Sequence, residues 1–340
     1  MADACPVERL RDAPDSAPVH AIRVLGPLLI RDGDRGVGPR DLGGVRPKQV
    51  LEILLAARGH SVPVDRLTDL LWGEEPPRDA AGSLQTFVSV LRRRLSFDRD
   101  LARRLVVTEP EAYRFATELI LFDLDRFDEL LEQSARQPTR AARASLQTAL
   151  ELVRGEAFED EPYAAWAADL RGSYQGRVLG ARLDAAELAL AERDLAGALT
   201  HSESAAALDR FSERAQRSEM LALYALGRGN EALDRYRAFR RRLDDELGLE
   251  PGAEARSLEA AILRQDDVHA LLPRRGQQAQ ATSPAVPPRL LGRAAELEEL
   301  ASSTRAVLEG RVALLHIDGE AGWARPACSK SSGASCAGSA

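Results

Sequence analysis

Between residues 123 and 267 the chain carries almost nothing but helical patterns rich in Ala, Leu, Arg and Glu, and it repeats itself. Leu190, Ala198 and Leu199 recur 34 positions later as Tyr224, Ala232 and Leu233. That is the tetratricopeptide period, in which each helix pair buries its apolar side only by stacking on its neighbours. Small side chains at Ala198 and Ala232 let paired helices approach closely, while Leu199, Leu221, Leu233 and Tyr236 fill the stack. Trp166, Tyr174, Phe211, Tyr224 and Tyr236 are expected in the core. A stack of this kind presents a concave face to another protein or to a second copy. Arg240-Arg241-Arg242 runs into Asp244-Asp245-Glu246, which reads as a solvated helix end with local ion pairing rather than a nucleic-acid patch. Gly248 and Pro251-Gly252 end that helix.

Ahead of this region the pattern changes. Ala21–Arg31 reads as two short strands broken at Gly26-Pro27, Asp32-Gly33-Asp34 turns the chain, and Val37–Leu42 suggests a further strand. Pro47 opens a helix that buries Val50, Leu51, Leu54 and Leu55 and stops at Gly59. Val64–Trp72 is a second helix, closed by Gly73. Asp79–Leu95 is a third, with Asp79 as its N-cap. Leu105–Thr108 and Tyr113–Thr117 pair as a hairpin around Glu109-Pro110-Glu111-Ala112. Strands, three helices and a terminal hairpin make a winged helix-turn-helix, with the third helix as reader and the hairpin as wing. The fold class expected is therefore mainly α: an N-terminal winged helix-turn-helix (α+β) followed by an all-α tetratricopeptide-like domain.

Stepping about 100° per residue along the third helix puts Leu84, Phe87, Val88, Leu91 and Leu95 on one side. Gly82, Thr86, Ser89 and Arg93 lie opposite, with Gln85 and Arg92 on one flank. After Asp79 this outward face has no carboxylate. Arg and Gln suit base edges in a major groove, and Ser, Thr and Arg suit phosphates. The plainer alternative is a surface helix that shares the Arg preference of the whole chain, whose only lysines are Lys48 and Lys330.

The net charge of −7 argues against nucleic acid only as an average. Residues 1–117 carry +1, residues 118–267 carry −10 and residues 268–340 carry +2. The acidity sits in the helical region, away from the reader. Cys5, Cys328 and Cys336 lie near the ends, and with five scattered histidines they give no metal spacing. No apolar run approaches the roughly 18 residues of a membrane span, and no export signal is visible. The expectation is a cytoplasmic, nucleoid-associated protein that is not an enzyme and has no cofactor, metal or membrane contact.

V-L-G-P-L, R-P-K-Q-V-L-E-I-L-L, V-D-R-L-T-D-L-L-W-G-E-E-P-P and S-L-Q-T-F-V-S-V-L-R-R-R-L follow in this order, then D-L-D-R-F, G-R-G-N-E-A-L-D-R-Y-R and L-D-D-E-L-G-L-E-P-G-A-E. Together they resemble the Streptomyces antibiotic regulatory protein family, from about Ile22 to Asp267. These are transcriptional activators with a response-regulator-type winged helix followed by a bacterial transcriptional activation domain. The resemblance implies binding to double-stranded promoter DNA at direct repeats, as two copies side by side, with contact to the sigma or alpha subunit of RNA polymerase. The antibiotic or other secondary-metabolite cluster is the implied target. The sequence departs from the family where Gly82 replaces a frequent Asn and Val90 a frequent basic residue. The wing has Glu109-Pro110-Glu111-Ala112-Tyr113 where Pro-Gly-Tyr and a nearby basic residue are usual. If that turn needs φ > 0, Ala112 costs about 1 kcal/mol relative to Gly, and Glu109 and Glu111 would repel phosphate.

The candidate DNA-binding residues are Ser83, Gln85, Thr86, Ser89, Arg92 and Arg93 on the third helix, with Arg94, Arg103, Arg104 and Arg114 as backbone contacts only. The domains expected are a disordered 1–20, the winged helix at 21–117, the activation domain at 118–267 and a linker at 268–289. Residues 290–340 resemble the entry to an ATPase module. Gly319-Glu320-Ala321-Gly322 begins a phosphate loop, but Ala324, Arg325 and Pro326 stand at the Gly, Lys and Ser/Thr positions. Pro removes a backbone donor along with the metal-binding hydroxyl. Codons compatible with this tail, shifted by one nucleotide, can spell Leu-Gly-Lys-Thr, so a frameshift near Gly322 is expected to have truncated a longer activator. Two other readings stay open: a tetratricopeptide-like interaction regulator with impaired DNA binding, and an ATP-driven regulator.

Overall fold

The computed structural model describes residues 20–33, 35–95 and 99–273. The segment before His20, most of the expected linker, and the phosphate-loop remnant with Gly319 and Gly322 lie outside the described residues. Three strands open the fold: β1 (Ala21–Arg23), β2 (Leu29–Asp32) and β3 (Arg35–Val37). β1 pairs antiparallel with β2 in the register Ile22 to Ile30, two side chains that are fully buried. β2 continues into β3 through Gly33 at φ 61°, a turn suited to glycine. The strand expected at Val37–Leu42 is instead the end of β3 followed by a 3-10 turn at Pro39–Leu42, because Pro39 offers no N–H to a ladder.

Helix α1 (Val45–Ala56) occupies the centre of the front half. It buries Val50, Leu51, Ile53, Leu54 and Leu55, more of its circumference than an amphipathic stripe would. The reason is its neighbours: it packs on α2 (Val64–Trp72), α3 (Ala80–Arg94), strand β6 (Ala112–Phe115) and the long α7 (Ala165–Glu192). Between α3 and the wing lies α4 (Arg99–Leu105), which the sequence reading did not anticipate. The wing is β5 (Val106–Glu109) and β6, and β4 (Val62–Pro63) pairs with β6 to give the order β4-β6-β5. The hairpin loop is Pro110-Glu111, and the positive φ falls on Glu111 (55°), so the strain expected at Ala112 belongs one residue earlier. The Glu111 carbonyl accepts from the Val64 amide at 2.9 Å, which ties the wing tip to the start of α2.

The back half holds α5 (Asp123–Arg136), α6 (Thr139–Glu151), α7, α8 (Leu195–Leu208), α9 (Glu213–Ala225), α10 (Gly229–Leu247), α11 (Ala253–Leu263) and α12 (Val268–Leu271). The starts of α8 and α10 lie 34 residues apart, matching the sequence repeat. Ala198 and Ala232 are completely buried where α8 and α10 cross their partners, and Tyr236 is buried at the centre of the last pairs. Tyr174 packs edge-on to Phe127 at 5.2 Å, and Trp166 to Phe158 at 5.3 Å. Phe211 and Tyr224 are half-buried, and the Tyr224 hydroxyl donates to the Asp266 carbonyl. Arg240 pairs with Glu250 beyond the helix end, Arg242 donates to the Arg210 carbonyl, and Glu246 pairs with Arg210, so among the described residues this arginine run does not pair with Asp244-Asp245-Glu246 as expected. The first residues of the segment read as linker are packed: Leu272, just after α12, is buried against Leu190 and Ala222.

The front half and α5 to α7 share one apolar core, which runs from Ile22 to Leu188, while α8 to α12 pack in separate clusters. A seventh strand, β7 (Leu121–Phe122), pairs parallel with β1 and completes the order β3-β2-β1-β7. The Asp123 carboxylate, at the start of α5, accepts from the Val24 and Leu25 amides at 2.9 and 3.0 Å. Burial outweighs these bonds and pushes its carboxyl up to about 6. The loop before α7 adds Phe158 N–H to the Val24 carbonyl at 2.8 Å and Glu161 to Lys48 at 2.7 Å. Arg58 reaches Asp125 and Asp128 on α5. Glu52 is fully buried on α1, 3.8 Å from the Lys48 ammonium and without a hydrogen bond, and burial outweighs that ion pair to push its carboxyl up to about 8.

Candidate nucleic-acid interface

The helix that would read DNA is set by its cap and by its apolar side. Asp79 accepts from the Gly82 amide at 2.8 Å, satisfying one of the unpaired donors of the first turn. Leu84, Val88 and Leu91 are buried, as is Leu95 at the C-cap, and Phe87 tilts against Trp72 at 6.3 Å. That orientation leaves Gln85, Thr86, Ser89, Arg93 and Arg94 exposed and Ser83 half-exposed. The expected face is therefore the solvent face.

Its chemistry is specific in detail. The hydroxyls of Ser83, Thr86 and Ser89 each donate to the carbonyl four residues earlier, at 2.8 to 3.0 Å. In this state their outward lone pairs accept, as from the exocyclic amine of adenine or cytosine; donation to phosphate requires the hydroxyl to rotate away. Arg93 has no ion pair among the described residues and stands in solvent.

Two departures from the family pattern have local causes. A Cβ at Gly82 would lie 2.2 Å from the Asp79 carboxylate, so a larger residue there would displace the cap. Val90 packs over Gly43, which holds φ 86° and whose Cβ would fall 2.5 Å from the valine methyl. Val90 thus seats α3 on the turn before α1 instead of reaching outward. The Arg94 stem approaches the same glycine.

The structure does not bring all the predicted arginines to this face. Arg92 turns inward: its Nε and Nη2 donate to the Val106 carbonyl at 3.0 and 2.6 Å, and Nη2 donates to the Thr108 hydroxyl at 2.7 Å. Burial, and less strongly the positive charge of Arg103, lower its pKa from the usual arginine value. Arg114 lies on the wing, but its guanidinium is 2.8 Å from Glu118 and 3.5 Å from Glu109. The bond to Glu118 raises its pKa. The Ser61 hydroxyl also donates to Glu109. Arg103 and Arg104 on α4 are exposed. Sequence reasoning missed α4, Glu52 and Lys48; a lone Glu inside Val50-Leu51-Glu52-Ile53-Leu54-Leu55 was the available signal for the last two. Among the described residues no group of three or more His, Cys, Asp or Glu side chains could hold a metal ion, and no helix is long and apolar enough to cross a membrane.

Residues 122–263 match the family model described as the bacterial transcriptional activator domain. The chain is 32% identical over 260 residues to the regulatory protein DnrI of Streptomyces peucetius, covering 72% of this chain and 92% of that protein. It is 32% identical over 254 residues to the transcriptional regulator RedD of Streptomyces coelicolor, covering 73% and 71%. Against the regulatory protein AfsR of Streptomyces griseus the identity is 29% over 317 residues, 90% of this chain but 31% of that much longer one. The solved structure of Mycobacterium tuberculosis EmbR, in complex with a low affinity phosphopeptide, superposes with a TM-score of 0.64 at 24% identity, covering 84% of this chain and 71% of that one. That likeness is one of fold.

Proposed function

Because the chain belongs to the Streptomyces antibiotic regulatory protein family of transcriptional activators, we propose that it binds double-stranded promoter DNA of a secondary-metabolite cluster through α3. Gln85 and Arg93 address base edges, and Thr86, Ser89 and Ser83 address bases or phosphates from the same face. Arg94, Arg103 and Arg104 meet the backbone. Two copies bind direct repeats near the promoter, and the helical half recruits RNA polymerase through its sigma or alpha subunit. The winged helix (21–117) and the activation domain (118–267) divide these tasks.

One observation carries the reading: α3 buries its leucines and turns to solvent an amide, hydroxyls and the Arg93 guanidinium, which has no ion pair among the described residues. A promoter-fragment gel shift tests it, with Arg93→Ala and Thr86→Ala expected to weaken the complex. Unchanged binding by both variants would show that the wrong face has been assigned. A second reading, an interaction regulator whose DNA binding is impaired, draws on Arg114 being held by Glu109 and Glu118. Failure of the wild-type chain to shift any promoter fragment of its cluster would favour it.

A further inference from the structure

Strand β5 is an edge strand: β6 covers one side of it, and the other side carries backbone groups with no strand partner. Arg92 meets that open side. Its planar fork places two N–H donors on the Val106 carbonyl and one on the Thr108 hydroxyl, from 14 and 16 residues away in sequence. Val106 and Thr108 face Phe115 and Tyr113 across the hairpin, so the fork grips the base of the wing. α4, with exposed Arg103 and Arg104, ends where β5 begins. The same contact therefore fixes α4 and the wing against the C-terminal half of α3.

We infer that Arg92 is a positioning residue: it fastens the wing to the reading helix and sets how far the wing stands from the groove that α3 enters, without touching DNA itself. The DNA consequence rests on the promoter-binding reading above; the fastening does not. A lysine at this position keeps the charge but cannot hold two acceptors in a fixed plane. Arg92 and Thr108 form one contact, so their losses overlap instead of adding.

The experiment uses the full chain with Arg92→Lys, Arg92→Ala, Thr108→Val, Thr108→Ser and the Arg92→Lys/Thr108→Val pair. Without DNA, nicking by a glutamate-specific protease after Glu111 at the wing tip reports whether the wing is held. With promoter DNA, anisotropy titration gives the affinity. Arg92→Lys is expected to speed wing-tip nicking and weaken binding by about tenfold each. Thr108→Val should do both by a few-fold, Thr108→Ser should restore the wild type, and the double variant should match Arg92→Lys. Wild-type nicking in Arg92→Lys would overturn the inference. So would wild-type affinity in Arg92→Lys together with weak binding by Arg92→Ala, since charge alone would then matter, as in a direct phosphate contact. If the wild type binds no promoter DNA, the promoter reading falls and the nicking rates alone decide whether Arg92 holds the wing.

Discussion

Helix α3 and the wing both carry arginine, yet they present it in opposite ways. On α3, Arg93 stands in solvent with no carboxylate after Asp79 on its face. On the wing, Arg114 lies between Glu109 and Glu118, and Glu111 occupies the tip. A guanidinium already bonded to a carboxylate must exchange that partner for phosphate and gains little. The contrast teaches that the proposed affinity for DNA would depend on which cations lack a carboxylate partner among the described residues, not on how many each element carries.

The largest expected effect removes the contrast altogether. Both regions rest on α1, and Glu52 is buried within it. Its carboxyl is pushed up from 4.5 to about 8, so the folded state favours the protonated form. That contribution is complete below the unfolded value near 4.5 and is lost as pH rises through 8. Raising pH from 6 to 9 should cost roughly 2–4 kcal/mol of stability. Glu52→Gln should flatten the profile, as thermal denaturation across pH would report.

Next comes the contrast itself. Arg93→Ala should weaken promoter binding by about 1–3 kcal/mol, while Arg114→Ala should change it by less than about 0.5 kcal/mol. Titrations of the two variants side by side check this, and equal losses would break the comparison. Glu109→Gln should release part of Arg114 and tighten binding by about 0.5–1 kcal/mol at low salt, the gain fading as salt rises. Smallest of all, Glu111→Gly relieves a left-handed residue and should raise the denaturation midpoint by an amount equivalent to about 0.5 kcal/mol.

Much of the front half was legible because each helix announces itself locally. Asp79 caps α3, Gly73 closes α2, and the spacing of Leu84, Val88, Leu91 and Leu95 fixed which side is buried. The 34-residue repeat likewise located the starts of α8 and α10. What stayed hidden depends on contacts between distant segments. Arg92 looks like any helical arginine until Val106 is brought beside it. Arg114 looks available until the hairpin register and the next turn supply two carboxylates. α4 has only Leu101, Ala102 and Leu105 as apolar signal in seven residues, too short a run to show a period. The wing strain was read one residue late because turn type depends on register, which composition does not specify.

The parallel pairing of β7 with β1 reaches further than the sheet it completes. A reader joined to its body by backbone bonds and a continuous core has no swivel with which to follow a badly placed operator. On the direct repeats proposed above, two such copies would act as a ruler, and half a helical turn inserted between the repeats would leave one reader facing the wrong side of the duplex.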